Sequence, residues 1–156
     1  MNNLVDEGLS NKLYEASQAG VKIRLIVRGM CNILAGIPGV SDNIKIISIV
    51  DRYLEHARVS LFYAGGKRKM FLTSADWMTR NIDHRIEVGC PILDKNVRKL
   101  IKDQLDLQWR DNTKARALDP EQSNQYLTRG NRKKIRSQMA IYDYLKQLER
   151  SRERQA

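Results

Sequence analysis

Cysteine is almost absent: Cys31 and Cys90 are the only two, far apart and without metal-ligand spacing. That excludes a disulfide-stapled fold and a cysteine-rich metal site, and the two thiols are expected to be small buried groups in a reducing cytoplasm. Histidine is equally scarce, with His56 and His84 alone, so any imidazole chemistry falls on one of two residues. No apolar run approaches the roughly 20 residues that a bilayer-spanning helix needs, and no charged-then-apolar leader precedes Leu4. The expectation is a cytoplasmic protein with no transmembrane segment, any membrane attachment being peripheral. Neither G-x-x-x-x-G-K-[ST] nor G-x-G-x-x-G occurs, which removes the common nucleotide-binding loops. Aromatics are few: two Trp, six Tyr and two Phe. Tyr126, Tyr142 and Tyr144 alone lie near the C-terminal charges, too sparse to stack a series of bases, so nucleic acid is not the expected partner.

What is abundant is positive charge. Lys and Arg number 28 against 18 Asp and Glu, a formal net charge of +10 in 156 residues. A surplus of this size favours a polyanionic partner without saying which one. Much of it lies in residues 129–156, expected to be a basic C-terminal helix or tail. The length suits one domain over residues 1–156.

Along the chain, Asp6 can cap a first helix reaching about residue 19, with Leu9, Leu13 and Ala16 on one face and Gly20 as its stop. Residues 21–27 are rich in branched side chains and read as a strand buried on both faces, placing Arg28 and Gly29 at its C-terminal end, where α/β sheets hold ligands. Residues 35–43 form a loop, and residues 44–50 a second strand or an approach to His56. The apolar runs 59–63 and 70–72 pair as a hairpin through Gly65 and Gly66, with another strand expected at residues 85–88. Residues 94–109 read as a helix capped by Asp94, residues 110–125 as irregular, and residues 131–148 as a last helix. That order indicates an α/β or mixed-sheet domain.

The most informative stretch is residues 52–85, where R-Y-L-E-H-A-R-V is followed by L-T-S-A-D-W-M-T-R-N-I-D-H-R. The hairpin brings the start of its first strand beside the end of its second, so His56 and Ser74 are expected to be neighbours. An imidazole that moves a proton or attacks phosphorus, flanked by a guanidinium and a hydroxyl that hold phosphate oxygens, suits phosphoryl chemistry. Arg58 and Arg80 are further candidates for phosphate contact. Asp83 is expected to form a plain ion pair with Arg80 or Arg85, and Trp77 to anchor the core.

His56, Arg58, Ser74 and Asp76 occur in the order of the phospholipase D half-site, H-x-K-x4-D followed by G-S-x-x-N. Arg58 replaces the lysine and Tyr63 falls where the aspartate belongs, which weakens a phosphodiesterase or nuclease reading. A second resemblance spans residues 2–88 in five ordered blocks: N-N-L-V-D-E, Y-E-A-S-Q-A-G-V-K-I-R-L-I-V-R-G, G-I-P-G-V-S-D-N-I, S-I-V-D-R-Y-L-E-H-A-R and T-S-A-D-W-M-T-R-N-I-D-H-R-I-E-V. Together these resemble the C-terminal, second phospholipase D-like domain of bacterial polyphosphate kinases of the first type.

The resemblance implies a phospholipase D-like mixed sheet flanked by helices, belonging to a longer enzyme that reversibly transfers the terminal phosphate of ATP to inorganic polyphosphate. It implies that His56 is a second active-site histidine, a proton shuttle and ATP-phosphate ligand, and that Arg28 is another ATP-phosphate contact. The histidine that becomes phosphorylated would lie in an upstream domain of the same enzyme, and the full-length protein would be a homo-oligomer. Mg2+ would come with ATP, with no metal site in this domain alone. His84 stands where the family commonly has arginine, and no role is assigned to it. A basic nucleic-acid-binding module and a phospholipase D-like phosphodiesterase are the alternative functions.

Overall fold

The computed structural model describes residues 1–154. The elements run α1 (Glu7–Gln18), β1 (Ile23–Ile26), β2 (Ile44–Ile49), β3 (Val59–Ala64), β4 (Lys67–Thr73), α2 (Thr79–Asp83), β5 (Gly89–Pro91), α3 (Lys95–Trp109), β6 (Ala115–Ala117) and α4 (Ser137–Glu153). Asp6 caps α1 as expected, its carboxylate accepting the Leu9 amide at 2.9 Å. Asp94 caps α3 in the same way, accepting from Asn96 and Val97.

Two three-stranded sheets result, β1-β2-β6 and β3-β4-β5. In the first, β1 and β2 are parallel with Ile23 opposite Ile44, while β6 runs antiparallel to β2 with Ala115 opposite Ile49. The strand covered on both faces is β2, not β1. Along β2 only Lys45 is exposed, whereas Arg24 of β1 faces outward and lies 5.3 Å from the centre of the Trp109 ring. Ile44 and Ile46 join Leu4, Leu25, Val27, Ile33 and Ala35 on one side of the sheet, and Ile47 and Ile49 meet Ala115 on the other. Each such burial contributes about 2 kcal/mol, so a strand of six residues is enough to seat the sheet. Trp77 packs against the first cluster and bridges Leu4, the anchoring role expected of it.

The second sheet contains the hairpin, with Val59 opposite Leu72 and Ala64 opposite Lys67. Gly65 and Gly66 have φ values of 57° and 82°, the left-handed backbone that makes glycine the fitting residue at this turn. Four expectations need correction. The strand expected at 85–88 begins instead at Gly89, because the Val88 amide is taken by the Ser74 hydroxyl rather than by a ladder carbonyl. The stretch 110–125 contains β6, too short for periodicity to reveal and set in the sheet by its pairing with the distant β2, with a local bridge from Arg116 to Tyr126 on its other side. The last helix starts at Ser137, because Asn112 accepts from the Ile135 amide and donates to the Lys133 carbonyl, holding the preceding residues irregular. Finally, Cys31 is only half-buried and Cys90 is exposed, the latter on a short strand of the more open sheet; both are free thiols. Among the described residues no helix is long and apolar enough to cross a membrane.

Candidate active site

Because β1 and β2 are parallel, the residues that follow them emerge along one edge of the first sheet. Arg28 leaves β1 there, half-buried, and its Nε donates to Asn2 Oδ1 at 2.8 Å. Among the described residues its two terminal guanidinium nitrogens make no hydrogen bond, which leaves a planar fork open to an oxyanion. Gly29 lets the N-terminal segment pass close by: a Cβ at this position would lie 2.5 Å from Asn3 Oδ1 and 3.1 Å from the Asn2 carbonyl oxygen. The Gly29 amide donates to that carbonyl at 2.7 Å.

Asn2 also reaches the second sheet. Its amide donates to Asp76 Oδ1 at 3.0 Å, so one residue touches both the Arg28 side chain and the buried carboxylate beneath His56. Asp76 is 4% exposed. Arg58 Nε donates to Asp76 Oδ1 at 3.0 Å. Burial pushes the Asp76 carboxyl up, but the Arg58 hydrogen bond and the Asn2 and Asn3 amides outweigh it and hold the pKa at about 2.

Arg58 then turns to the histidine. Its Nη2 lies 2.7 Å from His56 Nε2, while Asp76 Oδ2 lies 3.6 Å from the same nitrogen. A guanidinium only donates, so in this pairing Nε2 is the acceptor and the neutral ring carries its proton on Nδ1. The Asp76 distance is too long for a hydrogen bond. It becomes an ion pair once the ring is protonated. The geometry therefore offers His56 two states: bare at Nε2 with Arg58 donating, or protonated there with Asp76 as counter-charge.

The segment that presents His56 is gripped by the ends of α3 and α4. Gln138 accepts the Tyr53 amide and donates to the Tyr53 carbonyl, both at 2.9 Å, and Gln108 donates to Glu55 at 2.7 Å. Arg136 makes a two-pronged pair with Asp51 at 2.8 and 2.6 Å. That pair holds the Asp51 carboxyl below its usual range.

Ser74 is committed elsewhere. Its hydroxyl donates to Glu87 and accepts the Val88 amide, and no hydrogen bond joins it to His56. Glu87 also accepts from Asn81 at 2.6 Å. The Ser74 and Asn81 bonds lower the Glu87 carboxyl's pKa. Arg80 is exposed on the single turn of α2. The ion pair expected for Asp83 with Arg80 or Arg85 is not formed; both α2 residues face solvent. The structure thus gathers Arg28, His56 and Arg58 through two residues whose bridging role was not anticipated, Asn2 and Asp76. The motif order does contain Asp76; Asn2 falls in the block N-N-L-V-D-E, which marks the segment but not its bridging role.

Comparison with known proteins decides what this arrangement belongs to. Residues 1–138 match the sequence profile of the polyphosphate kinase C-terminal domain 2. The chain belongs to the polyphosphate kinase family. It is 61% identical to a polyphosphate kinase of Vibrio cholerae serotype O1 over 96% of its own length and 21% of that protein's. Against a polyphosphate kinase of Escherichia coli K12 the identity is 56%, over 96% of this chain and 22% of the other. The crystal structure of the polyphosphate kinase from Porphyromonas gingivalis superposes with a TM-score of 0.93 at 47% identity, covering 97% of this chain and 23% of that one. The chain therefore spans about a fifth of the length of the polyphosphate kinases it matches. Its mixed sheets and flanking helices are those of a polyphosphate kinase, a phospholipase D-like fold. Among the described residues no three His, Cys, Asp or Glu side chains gather, and Asp76 is already engaged by Arg58 and Asn2. The domain's own residues do not fit a magnesium cage.

Proposed function

We propose that this domain supplies ATP-phosphate ligands and a proton-handling histidine to the reversible transfer of the ATP terminal phosphate onto inorganic polyphosphate. The observation that carries this reading is the open fork of Arg28, tied through Asn2 to the carboxylate that underlies Arg58 and His56. The nucleophile in this reading is a histidine of an upstream domain of the full-length enzyme. Its ring nitrogen bonds to the terminal phosphorus as the bond from that phosphorus to the bridging oxygen breaks, and the electron pair leaves with ADP. Arg28 holds the oxygens of the nucleotide. As Arg58 turns from Nε2 toward phosphate, His56 takes a proton from solvent water at that nitrogen, with Asp76 balancing the charge, and offers it to the departing ADP oxygen; the reverse reaction returns it to the ring and then to solvent. Arg58, Ser74 and Arg80 are the further candidates for polymer or phosphate contact, Ser74 once its hydroxyl is released from Glu87. Magnesium belongs in this reading to the incoming nucleotide and not to a site in this domain. Homo-oligomeric assembly and a cytoplasmic setting, in which both free thiols stay reduced, complete it.

The test uses the chain by itself. Incubated with ATP and magnesium, it should form neither long polyphosphate nor a stable phosphohistidine, because the attacking group is elsewhere. Acid-urea gels for the polymer and phosphorus NMR for the phosphohistidine read both. Polymer synthesis, or a stable phosphate on His56, would overturn the division of labour between domains.

A further inference from the structure

Although the last helix is expected to begin at residue 131, residues 129–136 form an irregular loop ahead of α4. Arg129, Arg132, Lys133 and Lys134 are all exposed on it, and none forms an ion pair with a described residue. The neighbouring carboxylates are already used. Asp111 accepts the amides of Thr113, Lys114, Ala115 and Ser137, and Asp51 is held by Arg136.

The loop cannot spread to relieve its own repulsion. Asn112 brackets it through the Lys133 carbonyl and the Ile135 amide at 2.9 and 2.8 Å, Thr113 donates to the Ile135 carbonyl at 2.9 Å, and the Arg132 side chain donates back to the Arg129 carbonyl at 3.0 Å. Four like charges carried within residues 129–134 on a braced backbone are relieved by a polyanion that lies across them. The anchoring also sets the location. Asn112 precedes β6, whose first residue, Ala115, stands opposite Ile49 at the C-terminal end of β2. That is the sheet edge where Arg28 emerges from β1, and Arg136 ties the loop to Asp51, five residues before His56.

We propose that residues 129–134 are a docking site for the inner phosphates of a polyphosphate chain whose reacting end lies at Arg28 and His56. This rests on the reading of those two residues as the nucleotide end of the site. The chemistry favours an inorganic polymer over a nucleic acid. Tyr126, the nearest aromatic along the chain, has one ring face covered by Arg116 at 4.3 Å and its hydroxyl bonded to the same side chain, and the single face left is too little to stack a series of bases.

The experiment uses the full-length enzyme and the variant R129Q/K133Q/K134Q, whose replaced side chains make no hydrogen bond in the fold, so that Arg132 still braces the loop. The double variant K133Q/K134Q serves if the triple one is unstable. Polyphosphate, a non-hydrolysable ATP analogue and single-stranded DNA are each titrated at two ionic strengths. For the triple variant, losing about 0.7 of a released counterion per cation lowers the salt slope for polyphosphate by about two, which weakens binding on the order of 100-fold at roughly 0.1 M salt. Affinity for the ATP analogue is expected to stay the same. Unchanged polyphosphate affinity and slope would overturn the proposal. So would a larger loss for DNA than for polyphosphate, or a parallel loss for the ATP analogue. If polyphosphate binding depends on the loop while Arg28→Ala leaves ATP-analogue binding intact, the loop assignment stands and the Arg28 reading fails.

Discussion

Replacing His56 by alanine in the full-length enzyme should lower turnover by about 100-fold to 10,000-fold, the usual cost of losing a positioned acid or base. The fold should persist. The His56 side chain is 43% exposed, and the pair beneath it, Arg58 with Asp76, does not need the imidazole to form. A histidine serving only as a packed structural group would show the opposite pattern, a lowered melting temperature with turnover recovering once folded protein is counted. Turnover per folded molecule and thermal unfolding by circular dichroism separate the two. The account also requires that the loss fall mainly on kcat, since Arg28 still binds the nucleotide.

Asp76→Asn should produce the second large effect, on both acid stability and turnover. The carboxyl has a pKa of about 2 in the folded chain, against its ordinary value of 3.8. Between those values the unfolded chain binds the proton more readily than the folded one, so acid drives unfolding. The stabilisation is fully present above about pH 4 and is lost as the pH falls through 2, amounting to about 2 kcal/mol. Other carboxylates, Asp51 and Asp111 among them, are also lowered, so the difference between wild type and variant is the informative quantity. Urea unfolding at pH 4 and pH 2 should show wild type losing about 2 kcal/mol more than Asp76→Asn. The variant should already be less stable at neutral pH, because Arg58 is left mostly covered without its counter-charge. Equal pH dependence in the two proteins would show that the Asp76 pair contributes nothing to folding.

Local rules made much of this fold legible. Asp6 and Asp94 announce the starts of α1 and α3, and the adjacent glycines at 65 and 66 set the hairpin whose register carries Arg58 toward Asp76. The branched run before Arg28 placed that residue at a strand end, where it is found. Non-local pairings were hidden. β6 has three residues and exists because Ile49 and Ile47 offer it an open edge, which no window around residue 115 reveals. Residues 131–134 have a composition that a helix would accept, yet Asn112, from a distant part of the chain, holds the backbone in another shape. Asn2 bridges Arg28 and Asp76 across sequence separations of 26 and 74 residues. Its role depends on the N-terminal segment passing over Gly29, a closeness that spacing in the sequence does not encode.

The most direct measurement is a crystal structure of the full-length enzyme bound to a non-hydrolysable ATP analogue. The account predicts phosphate oxygens within about 3 Å of the Arg28 terminal nitrogens and of His56 Nε2, with Arg58 turned from the ring toward phosphate. A triphosphate bound elsewhere, with Arg28 still open and Arg58 still donating to His56, would contradict it.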